Sequence, residues 1–190
     1  MKNLDTIKYE MLTHVAICTH AQPKKVLIVG EDEAIKMQLA LYKNLEITSV
    51  ENSTDALGKL DENSFDVAII NDTSLLSDRL FVGLINKVTT PKGVVSTASS
   101  DMFSEQDTFE KELRAFGELF KIVMPARYED ANLAMQNMLI ASNSYHPTAD
   151  INLQRADLTE GFEYYNSDIA IGAFTLPTTI RKRFLGDLKL

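Results

Sequence analysis

Apolar residues along this chain gather in two rhythms. Short unbroken runs, rich in β-branched residues and closed by turn formers, occur at KVLIVG (25–30), FDVAIIND (65–72), GVVSTAS (93–99) and FKIVMPA (120–126). Runs of this kind predict buried strands, and LEITSVEN (45–52) adds a weaker one between the first two. The second rhythm is helical. EDEAIKMQLALYKN (31–44) repeats apolar residues at 35, 39 and 42, and DTFEKELRAFGELF (107–120) carries Phe109, Leu113, Phe116 and Phe120 at helical spacing. A leading helix is expected over 4–19, stopped before Pro23, so 1–22 reads as a leading helix and connector. Unbroken apolar strands separated by helices mean parallel strands covered on both faces. Residues 1–190 thus predict a single α/β, Rossmann-like domain of three layers. Beyond Asn143 the pattern loosens: 143–162 reads as a connector with Pro147 and Gly161, and 175–190 as a closing helix entered through Leu176-Pro177, so that 144–190 forms a C-terminal tail.

Composition narrows the classes. With 45% hydrophobic and 24% charged residues the chain can bury a full core. A net charge of -8 argues against a nucleic-acid binder, which needs a basic patch to displace phosphate counterions. The short run Arg181-Lys182-Arg183 reads as a solvated helix face. One cysteine, Cys18, excludes an internal disulfide framework and makes a reducing cytoplasm the expected location. Its apolar surroundings predict a buried thiol. No signal-type segment is evident and no run is long enough to span a bilayer, so no membrane partner is expected.

Candidate chemistry sits at strand ends. Gly30, followed by Glu31, Asp32 and Glu33, makes a strand-to-helix turn where doubly wound proteins hold a nucleotide or phosphate. The same residues fit the acidic pocket of a phosphoacceptor domain, or a capped helix start whose acidic first turn suits the helix dipole. Asp72 ends another strand, as a ligand contact or an Asx cap. Glu51 ends a third. His14 and His20 read as helix and connector residues and His146 as exposed. The segment DANLAMQNMLIASN (130–143) has helical propensity, yet a strand is expected there because tertiary context overrides propensity; its Met135, Met138 and Leu139 are taken as core.

Two families share these strands. The first half resembles a response-regulator receiver domain: KKVLIVGEDEAI is similar to the opening strand with its acidic pair, and SVENSTDALGKLDENSFDVAIIND to the run towards the phosphorylated aspartate. Receivers hold Mg²⁺ with these oxygens. Here Asn71 takes the acceptor position, Asp72 comes one residue late, and Met124 stands where the family has lysine.

The second resemblance covers nearly the whole chain. YEMLTHVAICTHAQPKKVLIVG (9–30) resembles the segment that enters the catalytic domain of spermidine synthases. YYNSDIAIGAFTLP (164–177) is similar to that family's C-terminal signature through Tyr164, Tyr165, Asn166, Ile169, Ala173, Phe174, Leu176 and Pro177. Pro91-Lys92-Gly93 resembles the Pro-Gly-Gly turn of S-adenosylmethionine-type folds. The resemblance implies an S-adenosylmethionine-methyltransferase-type three-layer sandwich, mostly parallel, with an antiparallel C-terminal hairpin over 120–143 and without the family's small N-terminal β-domain. It implies aminopropyl transfer from decarboxylated S-adenosylmethionine to a putrescine-type amine, releasing methylthioadenosine and requiring no metal or further cofactor. Carboxylates suit this chemistry, because they stabilise cations and accept a proton. Carried over, Asp72 is the catalytic acid group, Gly30, Glu33, Glu51 and Asn52 surround the nucleoside, and Tyr9 and Tyr165 contact substrate. Leu75 and Leu76 replace the family's second aspartate and proline, Lys8-Tyr9 replaces its tyrosine-histidine pair, and Ala170 replaces a histidine. Family members form dimers, so a homodimer is expected. Two alternatives stay open: a non-catalytic binding or assembly module of the same descent, and an atypical receiver-like signalling domain. A strand at 130–143 separates the last from the others.

Overall fold

Every strand-forming run becomes a strand: β1 (Lys25–Val29), β2 (Glu46–Val50), β3 (Phe65–Ile70), β4 (Thr89–Ala98), β5 (Ile122–Glu129) and β6 (Met135–Ser142). The computed structural model describes residues 6–130 and 132–190, so the first two residues of the helix expected over 4–19 lie outside the described residues. The strands form one sheet in the order β2-β1-β3-β4-β6-β5. β2, β1, β3 and β4 run parallel, whereas β6 is antiparallel to both β4 and β5. The segment with helical propensity is therefore a strand. Met138 and Leu139 bury opposite faces of it, fully closed from solvent, and this packing outweighs local preference. A receiver needs a helix there, so the antiparallel β6 removes that reading.

Period-two alternation sends Val26 and Ile28 to one face of the sheet and Leu27 and Val29 to the other, into two separate apolar clusters. On the first face lie α1 (Thr6–Thr19), α2 (Glu33–Leu39), α6 (Leu153–Leu158) and α7 (Ser167–Gly172); on the second lie α3 (Thr54–Gly58), α4 (Arg79–Val88), α5 (Gln106–Gly117) and α8 (Thr178–Arg183). Helix α4 was not anticipated, although Phe81, Ile85 and Val88 bury one stripe of it and Asp78 caps it by accepting from Leu80 N–H at 2.8 Å. Helix α6 interrupts the expected connector. Its Asn152 caps it, and its Arg155 guanidinium donates to the carbonyls of Ile17, His20 and Ala21, satisfying the C-terminal end of α1.

Helix α1 is buried on nearly all sides, so its polar residues need internal partners. Glu10, with no exposed surface, accepts from the backbone N–H groups of Glu163, Tyr164 and Tyr165 at 2.8–2.9 Å. The start and the end of the chain are thereby clasped together. His14 is also fully buried, between Tyr42 Oη at 2.8 Å and Gln38 Oε1 at 3.0 Å. Burial drives its pKa down to about 3, against the raising effect of the Gln38 contact. His146, expected exposed, is half-buried with Nδ1 against Thr148.

One turn expectation is corrected. Pro91-Lys92-Gly93 lies within β4, where the pairing with β3 slips between Phe65 and Val67. It is a bulge, not a turn before the strand. A Cβ on Gly93 would lie 2.1 Å from the Thr89 methyl, so only glycine fits the bulge.

Candidate functional site

The chain leaves β1 to form β2 on one side, then returns to place β3 on the other. Between the carboxyl ends of β1 and β3 this reversal opens a crevice, the point where open α/β sheets bind ligands. Two adjoining cavities occupy it, sharing Asn71 and Thr73.

The first lies over the β1 turn and is lined by Gly30, Glu31, Asp32, Asn52 and Asp72. Gly30 has φ +93°, a left-handed conformation that lets the chain turn directly from β1 to α2, while its N–H reaches Val50 O at 2.8 Å. A Cβ there would meet nothing within 4 Å, so conformation rather than crowding selects glycine. Asp32 caps α2 by accepting from Ala34 and Ile35 N–H through Oδ1, and its Oδ2 accepts from Asn71 Nδ2 at 2.6 Å. Asp72 closes an Asx turn, accepting from Ser74 N–H at 2.7 Å. The Ser74 backbone holds the Asp72 carboxyl below the usual carboxylate range, helped by the Ser74 and Asn52 side chains and the Lys8 charge. Asp72 is therefore an anion near neutral pH. Asn52 donates to Ser74 Oγ at 3.3 Å. The amide oxygens of Asn52 and Asn71 are buried without a hydrogen-bond partner, so this cavity offers acceptors to a ligand rich in N–H and O–H groups.

The second cavity, about 480 Å³, opens between the N-terminal end of α1 and the β5–β6 hairpin. Lys8 and Tyr9 line it from α1, and Tyr128, Asp130, Gln136 and Asn137 from the hairpin. Asn137 is fixed in place, donating to Ser100 O at 2.6 Å and accepting from Met102 N–H at 3.2 Å. Burial raises the Tyr128 phenol pKa, keeping it a neutral hydroxyl. Burial lowers the Lys8 ammonium from the ordinary lysine value, opposed by the charges of Asp32 and Asp72 across the crevice. Among the described residues no cluster of three or more His, Cys, Asp or Glu side chains gathers where a metal could bind.

The residues named from the sequence separate accordingly. Gly30, Asn52 and Asp72 meet in the first cavity and Tyr9 lines the second. Glu33 does not face the crevice: its side chain is 82% exposed and pairs with Lys36 at 2.6 Å, as a residue one step past the cap must point outward. Asp32 stands there instead. Glu51 is exposed beyond β2 and lines neither cavity. Tyr165 is 3% exposed and packs among His14 and Phe162 beneath the sheet, away from both cavities. The hairpin residues Tyr128, Asp130 and Gln136 were missed, because only the antiparallel pairing folds 128–137 back over the crevice. Asn71 was read solely as a failed phosphoacceptor, although its place beside Asp72 at a strand end was the available signal.

The fold is a methyltransferase-like α/β sandwich with a crevice at the sheet's switch point. The solved spermidine synthase in complex with the transition state analogue AdoDATO superposes with a TM-score of 0.85 at 21% identity, covering 94% of this chain and 75% of that one. Spermidine synthase from Thermotoga maritima gives 0.84 at 21% identity over 94% and 74%. Among curated proteins, the polyamine aminopropyltransferase of Helicobacter acinonychis (strain Sheeba) is 26% identical over 99% of this chain and 80% of its own length. No family model matches the chain. The chain is thus similar along almost its whole length to polyamine aminopropyltransferases and shares the fold of spermidine synthases.

Proposed function

We propose that the crevice binds a decarboxylated S-adenosylmethionine-type nucleoside and transfers its aminopropyl group to an amine, with methylthioadenosine as product. One observation carries this: a chain related along almost its whole length to polyamine aminopropyltransferases brings Gly30, Asn52 and Asp72 to one crevice at the switch point. In the transfer, the amine lone pair forms a C–N bond to the carbon beside the sulfonium. The C–S bond breaks, its electrons neutralise the sulfur, and the new ammonium gives up a proton. The lowered carboxyl of Asp72 supports electrostatic anchoring of the two cationic partners ahead of proton transfer, since a weak base accepts a proton poorly. Asn52 and Asn71 supply acceptors for nucleoside N–H and O–H groups. A homodimer in a reducing cytoplasm completes the reading; the single buried Cys18 supports the latter, and light scattering of the purified protein tests the former.

Calorimetric titration with methylthioadenosine and decarboxylated S-adenosylmethionine is the test. Micromolar binding, weakened about tenfold or more by Asp72→Ala for the cationic ligand while the melting temperature holds, is the expected result. Absence of binding at millimolar ligand favours the non-catalytic reading, which the replacement of the family's second aspartate and proline by Leu75 and Leu76 supports; Leu76 is fully buried in the core and unavailable to a ligand.

A further inference from the structure

The cavity between α1 and the β5–β6 hairpin has two charged poles. Its lining among the described residues contains one cation, Lys8, and one carboxylate, Asp130; the other lining side chains are neutral. Asp130 is held rigidly, with Oδ1 accepting from Asn132 and Ala134 N–H and Oδ2 from Gln136 Nε2, so its charge has a fixed position on the hairpin. Lys8 lines the cavity from α1. It is half-buried, and none of the salt bridges among the described residues includes it. The Asp32 and Asp72 charges attract its ammonium across the crevice, but neither is in salt-bridge contact with it and burial outweighs them, so the charge is under-compensated. A cavity with such a group favours a ligand that brings the anion and disfavours a second cation at the same place.

We infer that Lys8 sets the specificity of the acceptor cavity, which takes an amine that also carries an acid group, the acid paired with Lys8 and the ammonium facing Asp130, rather than a bare diamine. This inference rests on the aminopropyl-transfer reading of the crevice and names the class of its acceptor. Tyr128 and Gln136, both neutral, line the same cavity and suit the polar backbone of such a ligand.

Putrescine and ornithine differ by one carboxylate and test the point directly. Each is titrated calorimetrically into the whole protein, with and without methylthioadenosine. Ornithine is expected to bind about tenfold more tightly than putrescine, as one charge-assisted pair provides. Lys8→Met, which keeps the length of the stem, is expected to reverse that order, and Lys8→Arg to preserve it, with unchanged melting temperatures. Equal or tighter binding of putrescine by the wild-type protein overturns the inference, as does binding of neither amine, or an ornithine preference that survives Lys8→Met. Failure of methylthioadenosine to bind is a separate result: it removes the nucleoside reading while the comparison of the two amines stays readable.

Discussion

The clasp between α1 and the tail and the crevice at the ends of β1 and β3 are both built from polar groups, but they are finished differently. In the clasp, the Glu10 carboxylate has no exposed surface and three backbone N–H groups end on it. In the crevice, the amide oxygens of Asn52 and Asn71 are buried with no hydrogen-bond partner, and half-buried Lys8 is in none of the salt bridges among the described residues. A buried polar group that is satisfied internally specifies structure, whereas one left unsatisfied at the wall of a crevice is available to a ligand. The same contrast explains the sequence resemblance. The two segments that carry it, YEMLTH and YYNSDIAIGAFTLP, touch each other through Glu10 and Tyr165, so they record a single structural device seen twice.

The strongest way to break this comparison is Glu10→Ala. It strands three backbone donors, that of Tyr165 fully buried, and a loss of about 3–5 kcal/mol in unfolding free energy is expected, read by denaturant melts. Glu10→Gln, which keeps an acceptor, should lose less. A loss under about 1 kcal/mol for the alanine variant would mean that the tail is held by its apolar contacts alone.

A smaller effect comes from His14, in the same buried layer. Its folded pKa, about 3, lies below the ordinary value of 6.5. Between these values the unfolded chain binds a proton that the folded chain refuses, so stability falls as the pH is lowered through that window, by up to about 1.4 kcal/mol per pH unit. His14→Gln should flatten the profile. Comparing the two proteins isolates His14 from Glu112, whose carboxyl is raised by burial and slopes the other way, losing stability as pH rises above the unfolded carboxylate value. Parallel profiles for wild type and variant would show that His14 is protonated in the fold.

The layers of this fold were legible because strand runs and helical stripes follow from burial, which leaves a period in the sequence. Even the strand at 130–143 was recoverable once the chain's end was read together with its middle. Helix α4 was equally legible and overlooked; Phe81, Ile85 and Val88 mark its buried stripe. The site was legible only in part, for a physical reason. Gly30 and Asp72 announce themselves as turn residues, because backbone geometry restricts what can stand there. Lys8, Tyr128 and Asp130 belong to the cavity through the meeting of α1 with the β5–β6 hairpin, and no local pattern encodes a meeting. Tyr165 was misjudged by the converse error: a residue inside a signature segment was taken for a contact when its ring fills the core beside His14.

The finest test separates two neighbours that the sequence could not rank, Asp32 and Glu33. Both are acidic and both stand in the first turn after Gly30. The cap geometry turns Asp32 inward, with Oδ1 on the α2 N–H groups and Oδ2 on Asn71, and leaves Glu33 outward with Lys36. Asp32→Asn keeps an acceptor for the helix cap, so the melting temperature should hold within a few degrees, since asparagine caps as well as aspartate. Its amide must nevertheless meet the Asn71 amide differently, and methylthioadenosine affinity is expected to fall about fivefold to tenfold as Asn71 turns. Glu33→Ala should leave the same affinity within about twofold, because an exposed pair one step from the crevice contributes little. If instead Glu33→Ala weakened the nucleoside and Asp32→Asn did not, the acidic turn would be acting through long-range charge. The distinction between an inward cap and an outward pair would then carry no functional weight.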